Sequence, residues 1–247
     1  MDLGLNDTRA LVTAASKGLG RACAEALIAE GARVFIVSRD EARLTTTQRE
    51  IGAVGHLAAD LARPASPEKA VSAALAALGG LDILVCNAGG PPPGTFESTP
   101  VEEWETGYNL TLMSTVRLIK AALPALKESG RGRIVNITSI SVRQPIPNIL
   151  LSNAFRSAVT AMAKTLSAEV ASSGVTVNNL APGTILTDRV YQLYSGSLED
   201  VARGIPAGRI GDASEFGAVC AFLCSRQAAY VTGQTIGVDG GALRGVH

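Results

Sequence analysis

Two rhythms of apolar residues alternate along this chain. Short runs rich in β-branched residues, "RALVTA" (9–14), "RVFIVS" (33–38), "HLAADL" (56–61), "LDILVCNAG" (81–89), "GRIVNITS" (132–139), "VTVNNLAP" (175–182) and "TIGVDG" (235–240), predict seven strands. Between them the spacing turns helical, as where Leu19, Ala22, Cys23, Ala26 and Leu27 recur within 18–30. Further helices are predicted at about 40–51, 66–78, 101–127, 150–172 and 213–224, with Leu112, Val116, Ile119 and Leu123 as the buried stripe of the long fourth one. Strands apolar on both faces, each followed by an amphipathic helix, predict an α/β fold with a parallel, doubly wound sheet covered on both sides. No repeat, low-complexity tract or flexible linker interrupts this order, and "GGPPPG" (89–94) is short enough to be a rigid loop over the sheet edge. The expectation is one domain over residues 1–247.

Composition narrows the function classes. The chain has 247 residues, 47% hydrophobic, with 22 basic and 22 acidic side chains. A balanced charge argues against a nucleic-acid partner or an anionic membrane surface. No basic-then-apolar leader opens the sequence, no run nears the roughly 18 apolar residues of a membrane span, and four cysteines make no disulfide framework. A cytoplasmic protein is expected. Cys220 and Cys224 lie one turn apart, but without a nearby histidine they read as small core residues and no metal is expected. The scarcity of histidine, His56 and His247 alone, also argues against a Ser–His hydrolase.

The first strand runs into "TAASKGLGRA" (13–22). There Gly18 and Gly20 allow close approach of backbone to a pyrophosphate, and the following helix offers N–H donors and a positive dipole end. By itself this is also what a tight strand–helix turn without ligand looks like.

An ordered set of motifs extends the reading over essentially the whole chain. The Gly-x-x-x-Gly-x-Gly turn is met by Ala14, Gly18 and Gly20, followed by "CNAG" (86–89), Asn109 in "YNL", Ser139 in "ITSIS", "PGTILT" (182–187) and "YVTGQTIGVDGG". In these the chain resembles the short-chain dehydrogenase/reductase family, and in "PAGRIGDASEFGAVCAFLCS" its 3-oxoacyl-thioester reductases. The resemblance implies a Rossmann-type domain and a nicotinamide coenzyme. Ala14 in place of the first glycine is expected to be mild, provided its φ stays negative. Coenzyme contacts are implied for Thr13, Ser16, Lys17, Gly18, Leu19 and Gly20 in the turn. Asp60 and Leu61 would flank the adenine, Asn87, Ala88 and Gly89 the ribose, and Pro182, Gly183, Ile185 and Thr187 the nicotinamide. Strand two ends in Ser38 and Arg39, where NAD-specific members carry an acid, and Asp40 comes too late to replace it. With Lys17 these suit a 2′-phosphate, so NADP(H) is expected over NAD(H).

The family's acid is a tyrosine, with a lysine four residues later on the helix after strand five. This chain reads "SNAFR" there, and counting about a dozen residues from Ser139 places Ser152 and Arg156 at those two positions. Tyr108 and Tyr191 are the nearest tyrosines and a small slip reaches neither. An alkyl hydroxyl is a far weaker acid than a phenol and shorter, and Arg does not release its proton near neutral pH. Ser139, Ser152 and Arg156 would therefore hold a developing alkoxide electrostatically, with a water ordered by Asn109 giving the proton. The expected partner is a small carbonyl substrate, an acyl thioester among the candidates, and an anionic group beside the carbonyl would be clamped by Arg156. Two alternatives stand beside this reductase: a lapsed enzyme that senses NADP(H), and a lyase or isomerase on the same fold. A polar segment at 188–208 is expected as a mobile lid, with Tyr191, Leu193, Tyr194 and Ile205 as apolar points and a tyrosine there as a lesser candidate for the missing acid. The resemblance also implies a homotetramer or homodimer paired through the 101–127 and 150–172 helices.

Overall fold

In the computed structural model, which describes residues 2–193 and 196–245, seven parallel strands form one sheet in the order β3-β2-β1-β4-β5-β6-β7. The strands are β1 (Arg9–Thr13), β2 (Arg33–Ser38), β3 (Gly55–Ala58), β4 (Ile83–Cys86), β5 (Arg133–Ile137), β6 (Thr176–Pro182) and β7 (Thr235–Val238). Strand alternation sorts the core into two layers. Ala10 and Val12 of β1 pack beside Leu27 and Phe216, on the face covered by α1 (Gly18–Ala29), α2 (Glu41–Ile51) and α9 (Ala213–Cys224). Leu11 points the other way, toward Ala74, Leu118 and Ala163 of α3 (Ser66–Leu78), α5 (Ser114–Glu128) and α6 (Leu150–Val170). Both alternations are apolar, which is why the strands read as continuous hydrophobic runs.

The strand order reverses direction at β1, whose neighbours are β2 on one side and β4 on the other. Loops leaving these strands must diverge to opposite faces, and the crevice between them is where α/β sheets bind ligands.

The expected 101–127 helix is not one helix. It divides into α4 (Val101–Gly107), a wider π-helical turn over Tyr108–Met113, and α5. The extra residue per turn rotates α5 relative to α4. The buried stripe becomes Thr111, Thr115, Leu118, Ile119, Ala122 and Leu126, while Leu112, Val116 and Leu123 of the expected stripe are only half-buried. Strand three stops at Ala58, so Asp60 and Leu61 lie in the loop beyond it. Cys23, Cys86, Cys220 and Cys224 are all buried free thiols, and among the described residues there is no metal-ligating cluster. No described helix is long and apolar enough to cross a membrane.

The 188–208 segment contains two short helices, α7 (Asp188–Leu193) and α8 (Leu198–Arg203). Ile205 is buried, Tyr191 is 63% exposed, and Tyr194 lies outside the described residues.

Candidate active site

Two adjoining clefts open above the carboxyl ends of the strands. The smaller, about 210 Å³, is walled by Ser16, Lys17, Ser38, Arg39, Asp60, Leu61, Asn87, Ala88 and Gly89. The larger, about 410 Å³, continues from Lys17, Gly18 and Leu19 past Ser139, Ser152 and Arg156 to Pro182, Gly183, Ile185 and Thr187. Of the coenzyme residues expected from sequence, only Thr13 and Gly20 line neither. Both work from behind: the Thr13 hydroxyl ties β1 to β4 by donating to Asn87 O and accepting from Asn87 N, each at 2.8 Å.

The glycine turn is tight because it has to be. A Cβ on Gly20 would meet Ala14 O at 2.4 Å and Asn87 Nδ2 at 2.9 Å, so no other side chain fits without moving backbone. Ala14 departs from expectation: its φ is +47°, in the left-handed region that favours glycine. The strain of such a conformation in an L-residue is about 1–2 kcal/mol. Neither composition nor spacing signalled it.

The end of β2 suits a 2′-phosphate. Ser38 shares a 2.9 Å hydrogen bond with Ser16, and Arg39 follows with no ion pair among the described residues. Asp40 is spent as the N-cap of α2, accepting from Arg43 N at 3.0 Å, so it cannot stand in for a ribose-binding acid. Lys17 is engaged by Asp188 at 2.6 Å across the cleft. That pair is half-exposed, so it is weak enough to yield to a phosphate. These residues fit NADP(H).

At the other end, α6 carries Ser152 and Arg156 one turn apart, and the structure brings both into the cleft beside Ser139. Arg156 donates from Nε to Ser152 Oγ at 3.1 Å and from Nη1 to Ile137 O at 2.7 Å. Burial pushes its guanidinium down to about 10, and the charge of Arg189 adds to the effect. Ser139 Oγ accepts from Ser141 N at 3.1 Å, capping the short helix Ile140–Val142. Each hydroxyl thus has an acceptor lone pair occupied and its proton left to donate into the cleft. That arrangement is suited to an oxygen that gains negative charge.

Asn109 is not brought to the cleft. In the π turn its carboxamide donates to Glu105 O at 3.1 Å and accepts from Arg117, and it lines neither cleft. Thr111, two residues on, is buried and borders a small chamber of about 10 Å³ with Thr115, Thr138 and Arg156. Its Oγ1 has no protein partner. The local pattern "YNLTLM" held no signal for this, because the register depends on a π turn that sequence spacing does not reveal. Arg189 was likewise missed. It lines the larger cleft and donates from Nη2 to Pro91 O at 3.0 Å, fastening α7 to the "GGPPPG" loop.

Comparison with known proteins gives the same outline. Residues 13–242 match the family model described as Enoyl-(Acyl carrier protein) reductase. The chain is 36% identical over 240 residues to 3-oxoacyl-(acyl-carrier-protein) reductase FabG of Vibrio cholerae, covering 97% of this chain and 98% of that one. It is 30% identical to the NADPH-dependent reductase BacG of Bacillus subtilis, covering 96% of this chain and 98% of that one. Among solved structures it is similar to L-sorbose reductase of Gluconobacter frateurii complexed with NADPH and L-sorbose, at a TM-score of 0.92 and 31% identity over the full length of both chains. Seven parallel strands, a glycine-turn cleft and this extent of similarity together establish that the chain belongs to the short-chain dehydrogenase/reductase family.

Proposed function

We propose that this protein is an NADP(H)-dependent reductase of a carbonyl compound, working with Ser139, Ser152 and Arg156 in place of a tyrosine–lysine pair. The observation that carries the reading is the Arg156–Ser152 bond at 3.1 Å in a cleft continuous with the coenzyme cradle. Relatives with the same outline include enzymes named as NADPH-dependent reductases, which supports the choice of coenzyme.

NADPH held by the glycine turn, Ser38, Arg39 and the 182–187 loop would supply the hydride for the carbonyl carbon, being oxidised to NADP⁺, while the carbonyl oxygen takes one proton from water. Ser139 and Ser152 donate hydrogen bonds to that oxygen as its charge grows. Arg156 polarises Ser152 and stabilises the alkoxide without losing its own proton. The proton is supplied through water bordered by Thr111 and Arg156, since a chamber of about 10 Å³ matches one water. Asn109, turned to Glu105 and Arg117, has no part in this route.

Oligomerisation belongs to the same proposal. The half-buried Leu112 and Val116 leave apolar surface on the segment expected to pair, which supports a homodimer or homotetramer.

NADPH oxidation across a panel of aldehydes, ketones and 3-oxoacyl thioesters tests the reading, with the Ser152→Tyr/Arg156→Lys double variant run in parallel. Turnover by the unmodified protein that the double change does not improve is expected. Turnover only after the change would overturn it in favour of a coenzyme-binding sensor, and coenzyme retained through a non-redox conversion would favour a lyase or isomerase.

A further inference from the structure

We propose that the substrate carries an anionic group, a carboxylate or phosphate, gripped between Arg156 and Arg189. This rests on the reductase reading for the chemistry, but the binding site stands on its own geometry. Both residues line the 410 Å³ cleft that also holds Ser139 and Ser152, and the charge of Arg189 is felt at Arg156. Neither has a carboxylate partner among the described residues. Arg156 donates only to Ser152 Oγ and Ile137 O, and Arg189 only to Pro91 O and Gln192 Oε1, all neutral acceptors.

The carboxylate that lines this cleft, Asp188, is already paired with Lys17. Lys17 and Arg39 are the cations expected to meet the coenzyme's 2′-phosphate, which leaves Arg156 and Arg189 as a second pair of cations in the same cleft. Two like charges, half-buried and lining one cleft, repel each other, and their partial burial reduces the water that screens them. An anion entering between them recovers that energy. Proteins rarely keep such charges uncompensated unless a ligand supplies the balance.

Arg189 is also held in place. Its bond to Pro91 O spans the cleft from α7 to the 89–94 loop. The guanidinium also lies against Gly90, where a Cβ would come within 2.9 Å of Arg189 Nη2.

The test has a turnover arm and a binding arm. In the first, NADPH oxidation is compared between pyruvate and methyl pyruvate, and between dihydroxyacetone phosphate and dihydroxyacetone. In the second, oxamate and inorganic phosphate are titrated calorimetrically into NADP⁺-loaded protein. Unmodified protein is expected to favour the anion of at least one pair and to bind the matching probe. Arg189→Met should cut the anion-over-neutral ratio of kcat/KM about ten- to hundredfold and weaken probe binding equally, with Arg189→Lys recovering part. The Kd for NADPH should not change. Equal kcat/KM within both pairs would overturn the proposal, as would a Kd for NADPH that rises in step, which would assign Arg189 to the coenzyme. Probe binding lost in Arg189→Met with no turnover on any carbonyl would uphold the anion site and sink the reductase reading.

Discussion

Replacing Arg156 by methionine separates a residue kept for chemistry from one kept for stability. The guanidinium is held at about 10, at least two powers of ten below its ordinary value, because burial disfavours its charge. That desolvation opposes folding by about 3 kcal/mol. Against it stand two donated hydrogen bonds, to Ser152 Oγ and Ile137 O, worth about 1.5 kcal/mol each. The two effects cancel to within ~1 kcal/mol. For a chain of this size, that shifts Tm by no more than about 2–4 °C in either direction. Methionine fills similar volume without a charge, so packing changes little. The transition state has no such compensation, and losing the charge that polarises Ser152 and stabilises the developing alkoxide should lower kcat/KM by about 10²–10³. Thermal unfolding by circular dichroism and initial rates of NADPH oxidation measure the two quantities on the same preparation. A Tm fall beyond ~10 °C with a rate loss below tenfold would refute the reasoning and make Arg156 a structural residue.

Three further outcomes rest on individual contacts. Ala14→Gly should raise Tm by about 2–4 °C, since glycine relieves most of the strain at φ +47° while its looser unfolded chain returns part of the gain; calorimetry decides, and a lower Tm would remove the strain account. Arg39→Asp should reverse coenzyme preference, costing about 2–4 kcal/mol in NADPH affinity while NADH binding improves, measured by coenzyme fluorescence; an unchanged NADPH/NADH ratio would exclude Arg39 from the 2′-phosphate site. Asp82 governs acid stability. Burial would raise its carboxyl, but hydrogen bonds from Arg9 and Arg131 outweigh that and hold it below the ordinary value. Its stabilising effect is therefore full above the unfolded-state value near pH ~4 and lost as pH falls through the lower folded value. Asp82→Asn should cost about 3–5 kcal/mol at neutral pH and flatten the acid limb of the Tm-versus-pH curve; an unaltered limb would contradict it.

Seven strands, their parallel arrangement and the coenzyme cradle were legible in the chain before any packing was known. The strands rest on a local rule, since a strand buried on both faces must be apolar throughout, whereas the glycine turn alone reads equally as a bare strand–helix turn and was legible as a cradle through the family resemblance. Ser38 and Arg39 were legible through the same resemblance, which puts the 2′-phosphate at the end of strand two, where Ser38 closes β2 and Arg39 follows it. Ser152 and Arg156 were singled out by the family resemblance, whose acid and cation stand four residues, one helical turn, apart. The remaining features depended on how distant parts of the chain pack. Asn109 leaves the cleft and Thr111 approaches it because one π turn shifts the register, and no periodicity in "YNLTLM" separates a π turn from an α turn. Ala14 adopts its positive φ in a turn whose carbonyl accepts from Asn87 Nδ2, a residue far along the chain, and leaves no space for a Cβ on Gly20. Arg189 shares a cleft with Arg156 and is tied by Pro91 O to the 89–94 loop, segments far apart in the sequence. Charge and helical spacing are written residue by residue, whereas a cleft exists only where distant segments converge.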